Sequence, residues 1–220
     1  MKNSLKIIVA VLAVTLIAFS TQVYADPSGA AVTTISEETY TAAVGTEDVE
    51  GGNISSVNIT GNQVTTRWAG FFGNISGGII LANAAGTSFY EWTISNVADA
   101  IVYAANESIA SWATLGNATK TDMYGFLSLK ATDNYTETFG SKGSDDFNGN
   151  TISGYYTSTW NNTEQGTLKT YSLKADTTTL VWAGVAQNNV EGFDGSQVDY
   201  QILVPASATA LTYNFYLELP

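Results

Sequence analysis

The fold is decided by two stretches near the C-terminus, Val198-Asp199-Tyr200-Gln201-Ile202-Leu203-Val204 and Leu211-Thr212-Tyr213-Asn214-Phe215-Tyr216-Leu217-Glu218-Leu219. In both, a large apolar residue recurs at every second position. Side chains of a β-strand point alternately to its two faces. The alternation therefore predicts two strands, each with one face buried in a core.

Further strands are predicted upstream of this pair. Residues 180–186 are apolar at nearly every position, so we expect a central strand that buries both of its faces. Helix signals are scarce, and one short helical turn is expected within 108–115. Additional strands are predicted at 64–72, 79–81, 89–94 and 100–104.

Tryptophan positions follow from these strand faces. Trp68, Trp92 and Trp182 share faces with other apolar residues, so each is predicted to be largely buried. Trp160 is assigned to the core on the same ground. Trp112 lies outside every predicted strand, which makes it the candidate for an exposed ring that packs on a sugar.

The composition is that of a β protein. Thr, Ser, Asn and Gly are abundant, aromatic residues reach 12%, and charged residues only 13%. Short strands separated by Gly, Asn and Asp turns predict an all-β fold. We expect a single antiparallel β-sandwich, Ig-like or jelly-roll-like, over residues 51–220.

The first 25 residues have the layout of a secretory signal peptide. Lys2 and Lys6 form a basic head, residues 7–19 are almost uninterruptedly apolar, and Ala25 precedes a cut before Asp26. The apolar run is 13 residues, whereas a membrane-spanning helix needs about 20. We therefore expect a signal-peptide helix that is removed on export, an extracellular or cell-surface location, and contact with the membrane only through this peptide.

After the predicted cut, residues 26–50 are small, acidic and poor in large hydrophobic side chains. They are interpreted as a flexible N-terminal arm. Residues 30–45 are β-prone, and such an arm can add as a strand to the sheet edge of a neighbouring copy. A disordered arm and an arm paired within its own chain remain open alternatives.

Charge and composition exclude several classes of function. Residues 26–220 carry six basic residues against 20 acidic ones, so their net charge is −14. Without a basic patch, nucleic acids and anionic lipid surfaces are poor partners. Cysteine and histidine are absent, which rules out disulfides, Ser-His-Asp and Cys-His catalysis, and His-ligated zinc.

One segment, Trp68-Ala69-Gly70-Phe71-Phe72-Gly73-Asn74-Ile75-Ser76-Gly77, resembles a group of archaeal secreted surface proteins that carry Trp-x-Gly-aromatic-aromatic-Gly-Asn-aliphatic-Ser-Gly. The step Phe89-Tyr90-Glu91-Trp92 and the segments 183–205 and 213–219 are also similar to that group, whereas 109–179 is not. The resemblance implies an archaeal cell-surface setting and no reaction. A more distant likeness is to the subunits of archaeal extracellular threads or pili.

Asn-x-Ser/Thr sequons are in mild excess over what this composition gives by chance. In an exported protein, each is a candidate site of N-glycosylation. The candidates are Asn53, Asn58, Asn74, Asn106, Asn117, Asn134 and Asn161.

Acidic clusters raise the possibility of Ca²⁺ binding or of carboxylate catalysis. Neither cluster has the spacing of a known calcium loop, and acidic surface loops are the favoured interpretation; no cofactor is expected. A glycosidase would need two flanking carboxylates, for which Glu91 or Glu191 is the candidate. The clusters are Asp145, Asp146, Asn148 and Asn150 in one case, and Glu191, Asp194 and Asp199 in the other.

Together these features predict a secreted, glycosylated structural protein of the cell surface and not an enzyme. Its expected partners are further copies of itself or other envelope proteins, with glycans as a further possibility. A filament subunit that assembles by strand addition is one form of this prediction. The alternatives are a carbohydrate-binding or adhesion module of the envelope and, less favoured, a glycosidase.

The signal-peptide assignment makes the first testable prediction. N-terminal sequencing of the exported protein should read Asp26-Pro27-Ser28, because the small residue at 25 completes the cleavage site. An exported chain that still begins at Met1, or upstream of Ile7, would contradict the assignment.

Overall fold

The structure is a computed structural model that describes residues 25–41, 43–46, 48, 50–123, 132–206 and 211–220. The predicted signal peptide, apart from Ala25, lies outside these residues, as does Ala42 of the predicted arm. The elements are β1 (Ser28–Gly29), β2 (Trp68–Gly73), β3 (Gly78–Ala82), β4 (Ser88–Thr93), β5 (Ile101–Ala105), a 3₁₀ turn (Trp112–Thr114), β6 (Gly116–Asn117), α1 (Lys120–Met123), α2 (Tyr135–Thr138), β7 (Ser141–Phe147), β8 (Asn150–Trp160), β9 (Gln165–Lys174), β10 (Leu180–Val185), β11 (Val190–Glu191), β12 (Gln197–Val198), β13 (Tyr200–Pro205) and β14 (Asn214–Glu218).

These elements form an all-β, antiparallel fold, as predicted. The main sheet has the order β1-β14-β5-β10-β9-β8-β7, with β6 paired to β9, and all of its pairings are antiparallel. Three two-stranded sheets accompany it: β2–β13, β3–β4 and β11–β12. The 3₁₀ turn Trp112–Thr114 lies within the expected helical turn.

Strand β10 is the centre of the sheet, between β5 and β9, and its first five residues are fully buried. This confirms the prediction that the segment 180–186 forms a central strand that buries both of its faces. Because its side chains alternate, Trp182 belongs to a core on one face and Val181 to a separate core on the other.

The first core, which we call the outer core, lies between the main sheet and the pair β2–β13. Trp182 packs there with Ile202 and Val204 of β13. On β2, Phe71 pairs with Ile202 and Ala69 pairs with Val204, and both Phe71 and Ala69 face the core. Alternation along the predicted strand 64–72 puts Val64 and Phe72 on the same face as Trp68 and therefore predicts that they belong to the core. That prediction is wrong, since both are exposed, while Trp68 is buried beside Phe139, the residue after α2.

The second core, the inner core, lies inside a curl of the main sheet. Phe147 of β7 reaches the ring of Tyr171, with 5.2 Å between ring centroids. The backbone N–H of Asn148, which follows β7, donates to both carboxylate oxygens of Glu218 on β14 at 3.0 Å. Strands β7 and β14 lie near opposite ends of the strand order, so this contact joins the two ends of the sheet.

Tyr103 of β5 also donates to the Glu218 carboxylate. Burial and the neighbouring carboxylate raise the pKa of Tyr103, so its hydroxyl remains a hydrogen-bond donor. The turn that carries Asn148 has positive φ angles at Asn148 (48°) and Gly149 (70°), which suits a tight two-residue hairpin. The acidic residues near this turn therefore belong to a hairpin.

The first described residues contact the same region, around Asn148 and β14. Strand β1 pairs Ser28 and Gly29 with β14, Pro27 is buried, and Asn148 donates through Nδ2 to Asp26 at 3.1 Å. The next buried side chain among the described residues is Trp68. Residues 26–29 therefore belong to the folded part of the protein. The folded part then continues only some 15 residues after the domain boundary that was predicted at Gly51.

Two of the tryptophans that were predicted to be buried are exposed. Trp92 is 48% exposed because the hairpin β3–β4 packs on the rest of the protein only at its base. Trp160, the last residue of β8, is 63% exposed; it lies beyond a register shift at which the step from Ser158 to Trp160 on β8 faces the longer step from Lys169 to Gln165 on β9. The prediction for Trp182 is confirmed.

The buried environment of Trp182 and the half-exposed environment of Trp92 give the second testable prediction. Trp182→Ala empties a fully buried site and should lower the free energy of unfolding by about 3–5 kcal/mol. Trp92→Ala should cost about 1 kcal/mol or less, because the ring is half in solvent. Urea unfolding followed by far-ultraviolet circular dichroism measures both, and equal losses would contradict the core assignment.

Candidate interaction surfaces

The first surface is the arm, defined here as residues 30–45. Its described residues form no strand and are exposed from Ala31 onward. It nevertheless carries large apolar side chains in solvent, namely Val32, Ile35, Tyr40 and Val44. The arm is anchored at its start, because the Ala30 N–H donates to the Phe215 carbonyl of β14. A fixed end and an unpaired remainder are what strand exchange between copies requires.

The second surface is the hairpin β3–β4. Cross-strand pairs Ile79–Trp92 and Leu81–Tyr90 give it one continuous apolar face, and all four side chains are about half exposed. The turn is well formed, since Asn83 Oδ1 accepts from the Ala85 and Thr87 N–H groups. An isolated two-stranded hairpin is only marginally stable in water, so this face favours a covering partner.

Close backbone approach also marks this hairpin. A Cβ at Gly78 would lie 2.8 Å from the Trp92 carbonyl oxygen, so only glycine fits at the start of β3. The alternation predicted both strands correctly. The alternation did not reveal that both faces of the hairpin lack a core to pack on. A two-residue period shows that a strand has an apolar face, but not whether another part of the protein covers that face.

The third surface is a groove of about 400 Å³ between the α2–β7 connection and the ends of β8 and β9. Trp160 forms part of its wall, opposite Gln165 in the strand register. Glu137 contributes a carboxylate, and the remaining lining is mostly hydroxyl groups and backbone: Thr138, Gly140, Ser141, Thr157, Ser158, Thr159 and Leu203.

Trp112, the ring predicted to be exposed, is buried. It packs between Tyr103 and Tyr216, with centroid distances of 4.9 and 5.1 Å, at the mouth of the curled sheet. The absence of strand periodicity was a poor guide, because a 3₁₀ turn can cover a core as well as a strand can.

The sequons fall into two groups. Asn53, Asn58 and Asn74 are exposed and Asn161 is half-buried in a turn, where its Oδ1 accepts from Glu164 N–H. The other three side chains hold the fold, which argues against their modification. They accept backbone N–H groups as follows: Asn106 from Leu180 at 2.7 Å, Asn117 from Tyr155 at 3.1 Å, and Asn134, only 8% exposed, from Glu137 at 3.1 Å.

The acidic clusters do not converge on a point. In the described part of the chain, no group of three or more acidic side chains is placed to hold a metal ion. Asp199 is buried and accepts the Ile75 and Asn189 N–H groups, so it joins two loops. Hydrogen bonds from the Ser196 side chain and backbone lower the pKa of Asp194. The Asp194 carboxylate is therefore satisfied within its own turn, and the Asp199 carboxylate by the two loops that it joins.

Comparisons with protein-family models, curated proteins and solved structures found no significant match. Across the described ranges, none of the helices has both the length and the apolar character that a bilayer crossing requires.

The two groups of sequons give the third testable prediction. Glycopeptide mapping of the native protein should find sugar at the exposed Asn53, Asn58 and Asn74 and at Asn161 in its turn, and none at Asn106, Asn117 or Asn134. Asn134→Gln should lower the free energy of unfolding by about 1 kcal/mol through loss of the α2 cap, whereas Asn53→Gln should not change it. Sugar on Asn134 of the folded protein would contradict this division.

Proposed function

We propose that this chain is a secreted, glycosylated structural protein of the cell surface, and that copies assemble by inserting the arm of one against the hairpin β3–β4 of the next. The observation that carries the proposal is that one chain holds both an unpaired β-prone arm and an unpartnered apolar hairpin. The arm lacks a strand to pair with, and the hairpin lacks a segment that covers its apolar face.

Among the exposed stretches, the arm is the better donor strand. Residues 53–60 are also exposed and contain Val57 and Ile59, but the sequons Asn53 and Asn58 place sugars along them. A glycosylated segment cannot enter a tight sheet interface. Residues 30–45 contain no sequon, and Tyr40 and Val44 fall on one side of an extended strand.

The hairpin is the better acceptor among the free edges. The edge strand β7 of the main sheet carries Asp145 and Asp146, which repel an acidic arm that contains Glu37 and Glu38. The apolar face of the hairpin is uncharged. A third strand there would bury apolar side chains on both partners and bring the sheet to the size that is stable in water.

The proposal includes no catalysis. Glu91 lies on the exposed hairpin and Glu191 on an exposed strand, while hydrogen bonding lowers the pKa of Asp194, the opposite of what a general acid needs.

The archaeal setting of the proposal rests on the resemblance of the segment 68–77. Each copy offers one donor and one acceptor, and head-to-tail addition whose rotation does not close gives a filament.

The fourth testable prediction separates donor from acceptor. The parent protein, residues 26–220 with its glycans, should form filaments in electron micrographs and fast-sedimenting species in the ultracentrifuge. Tyr40→Ser/Val44→Ser removes the donor face, and Leu81→Ser/Tyr90→Ser removes the acceptor face. Each variant alone should sediment as a monomer, because it lacks one half of the contact.

Mixing the two variants provides the decisive control. One keeps an intact hairpin and the other an intact arm, so together they should form dimers that do not grow. Val57→Ser/Ile59→Ser, in the sequon-bearing segment, should still form filaments. A parent protein that stays monomeric at high concentration, or variants that still polymerise, would contradict the proposal.

A further inference from the structure

The groove beside Trp160 has a chemistry distinct from that of the arm and the hairpin. Trp160 is the most exposed of the tryptophans in the described residues, and it lies at the end of β8, beyond the register shift with β9. A large aromatic ring in solvent beside a concave polar surface favours a ligand with one flat apolar face.

The polar groups of the groove define the rest of that ligand. Gln165 donates through Nε2 to the Ser158 carbonyl at 3.2 Å, which fixes the amide and leaves its oxygen as an acceptor. Glu137 adds a carboxylate, and Ser and Thr hydroxyls can both donate and accept. The side chains that line the groove include one carboxylate and no cation, which disfavours phosphate, sulfate and other anions.

We infer that this groove is a binding site for a neutral saccharide. Sugar rings have an apolar face that packs on tryptophan and a rim of hydroxyls that pair with carboxylate, amide and hydroxyl groups. A volume of about 400 Å³ lies within the range of small-molecule sites and holds a short oligosaccharide. The inference is independent of the proposed assembly, which uses other residues.

The saccharide has two possible sources, and the structure brings both within reach. One is a glycan of the cell envelope that binds from solution. The other is the chain's own sugar, because the sequon residue Asn161 directly follows Trp160 and is partly exposed. Both sources present the same chemistry to the groove, so the experiment must distinguish them.

Isothermal titration of the mature protein with neutral glucose, mannose and galactose trisaccharides tests the inference. A sulfated trisaccharide serves as the anionic control. At least one neutral probe should bind, with the sulfated probe at least tenfold weaker. Trp160→Ala should weaken binding at least tenfold, whereas Phe193→Ala, which removes an exposed aromatic ring outside the groove, the arm and the hairpin, should leave it unchanged. Equal thermal unfolding of the two variants verifies that both are folded.

The same titration on Asn161→Gln identifies the source. Binding by both the parent and Asn161→Gln supports a ligand from solution. Binding that appears only in Asn161→Gln supports a groove filled by the chain's own glycan. Absence of binding in both proteins, binding unaffected by Trp160→Ala, or tighter binding of the sulfated probe would overturn the inference.

Discussion

The strand Leu180–Val185 imposes the constraint on which the rest of the structure depends. Its apolar side chains project from both faces, and a chain without disulfides must cover both of them by packing. One face is covered by the pair β2–β13. The other is covered by the sheet itself, which curls until Asn148 donates to Glu218 near its opposite end. This partly buried carboxylate contact closes a core that a flat sheet would leave open to water.

The parts of the fold that the sequence predicted are those in which the pattern along one strand determines the outcome. An uninterrupted apolar run can only be a central strand, and the alternation at 200–204 agrees with the burial of Ile202 and Val204. The curl could not be predicted, because it depends on a contact between Asn148 and Glu218, which are 70 positions apart. No local pattern contains that information.

Tryptophans show where face assignment fails and why. Alternation places Trp160 on the same face as the buried Ile152, but Trp160 is the last residue of β8, past the register shift with β9, and the burial of one position does not extend along the whole strand. Trp92 alternates correctly and is still exposed, because its hairpin has no core behind it. Both errors lie in the candidate surfaces, where local pattern and overall packing disagree; such disagreement is a mark of functional positions.

The anchoring of the N-terminus converts these surfaces into a geometry for assembly. The pairing of Ser28 and Gly29 with β14 fixes the start of the arm on the folded body. From that point, the 16 residues of 30–45 span roughly 50 Å when extended, more than the radius of a domain of this size. A free chain end with the same residues would bind a neighbour at a higher cost in entropy, because its position would not be restricted. In the proposed assembly every subunit is strongly acidic, so attraction between copies would have to come from main-chain hydrogen bonds and apolar contact, and screening of charge by salt would strengthen it.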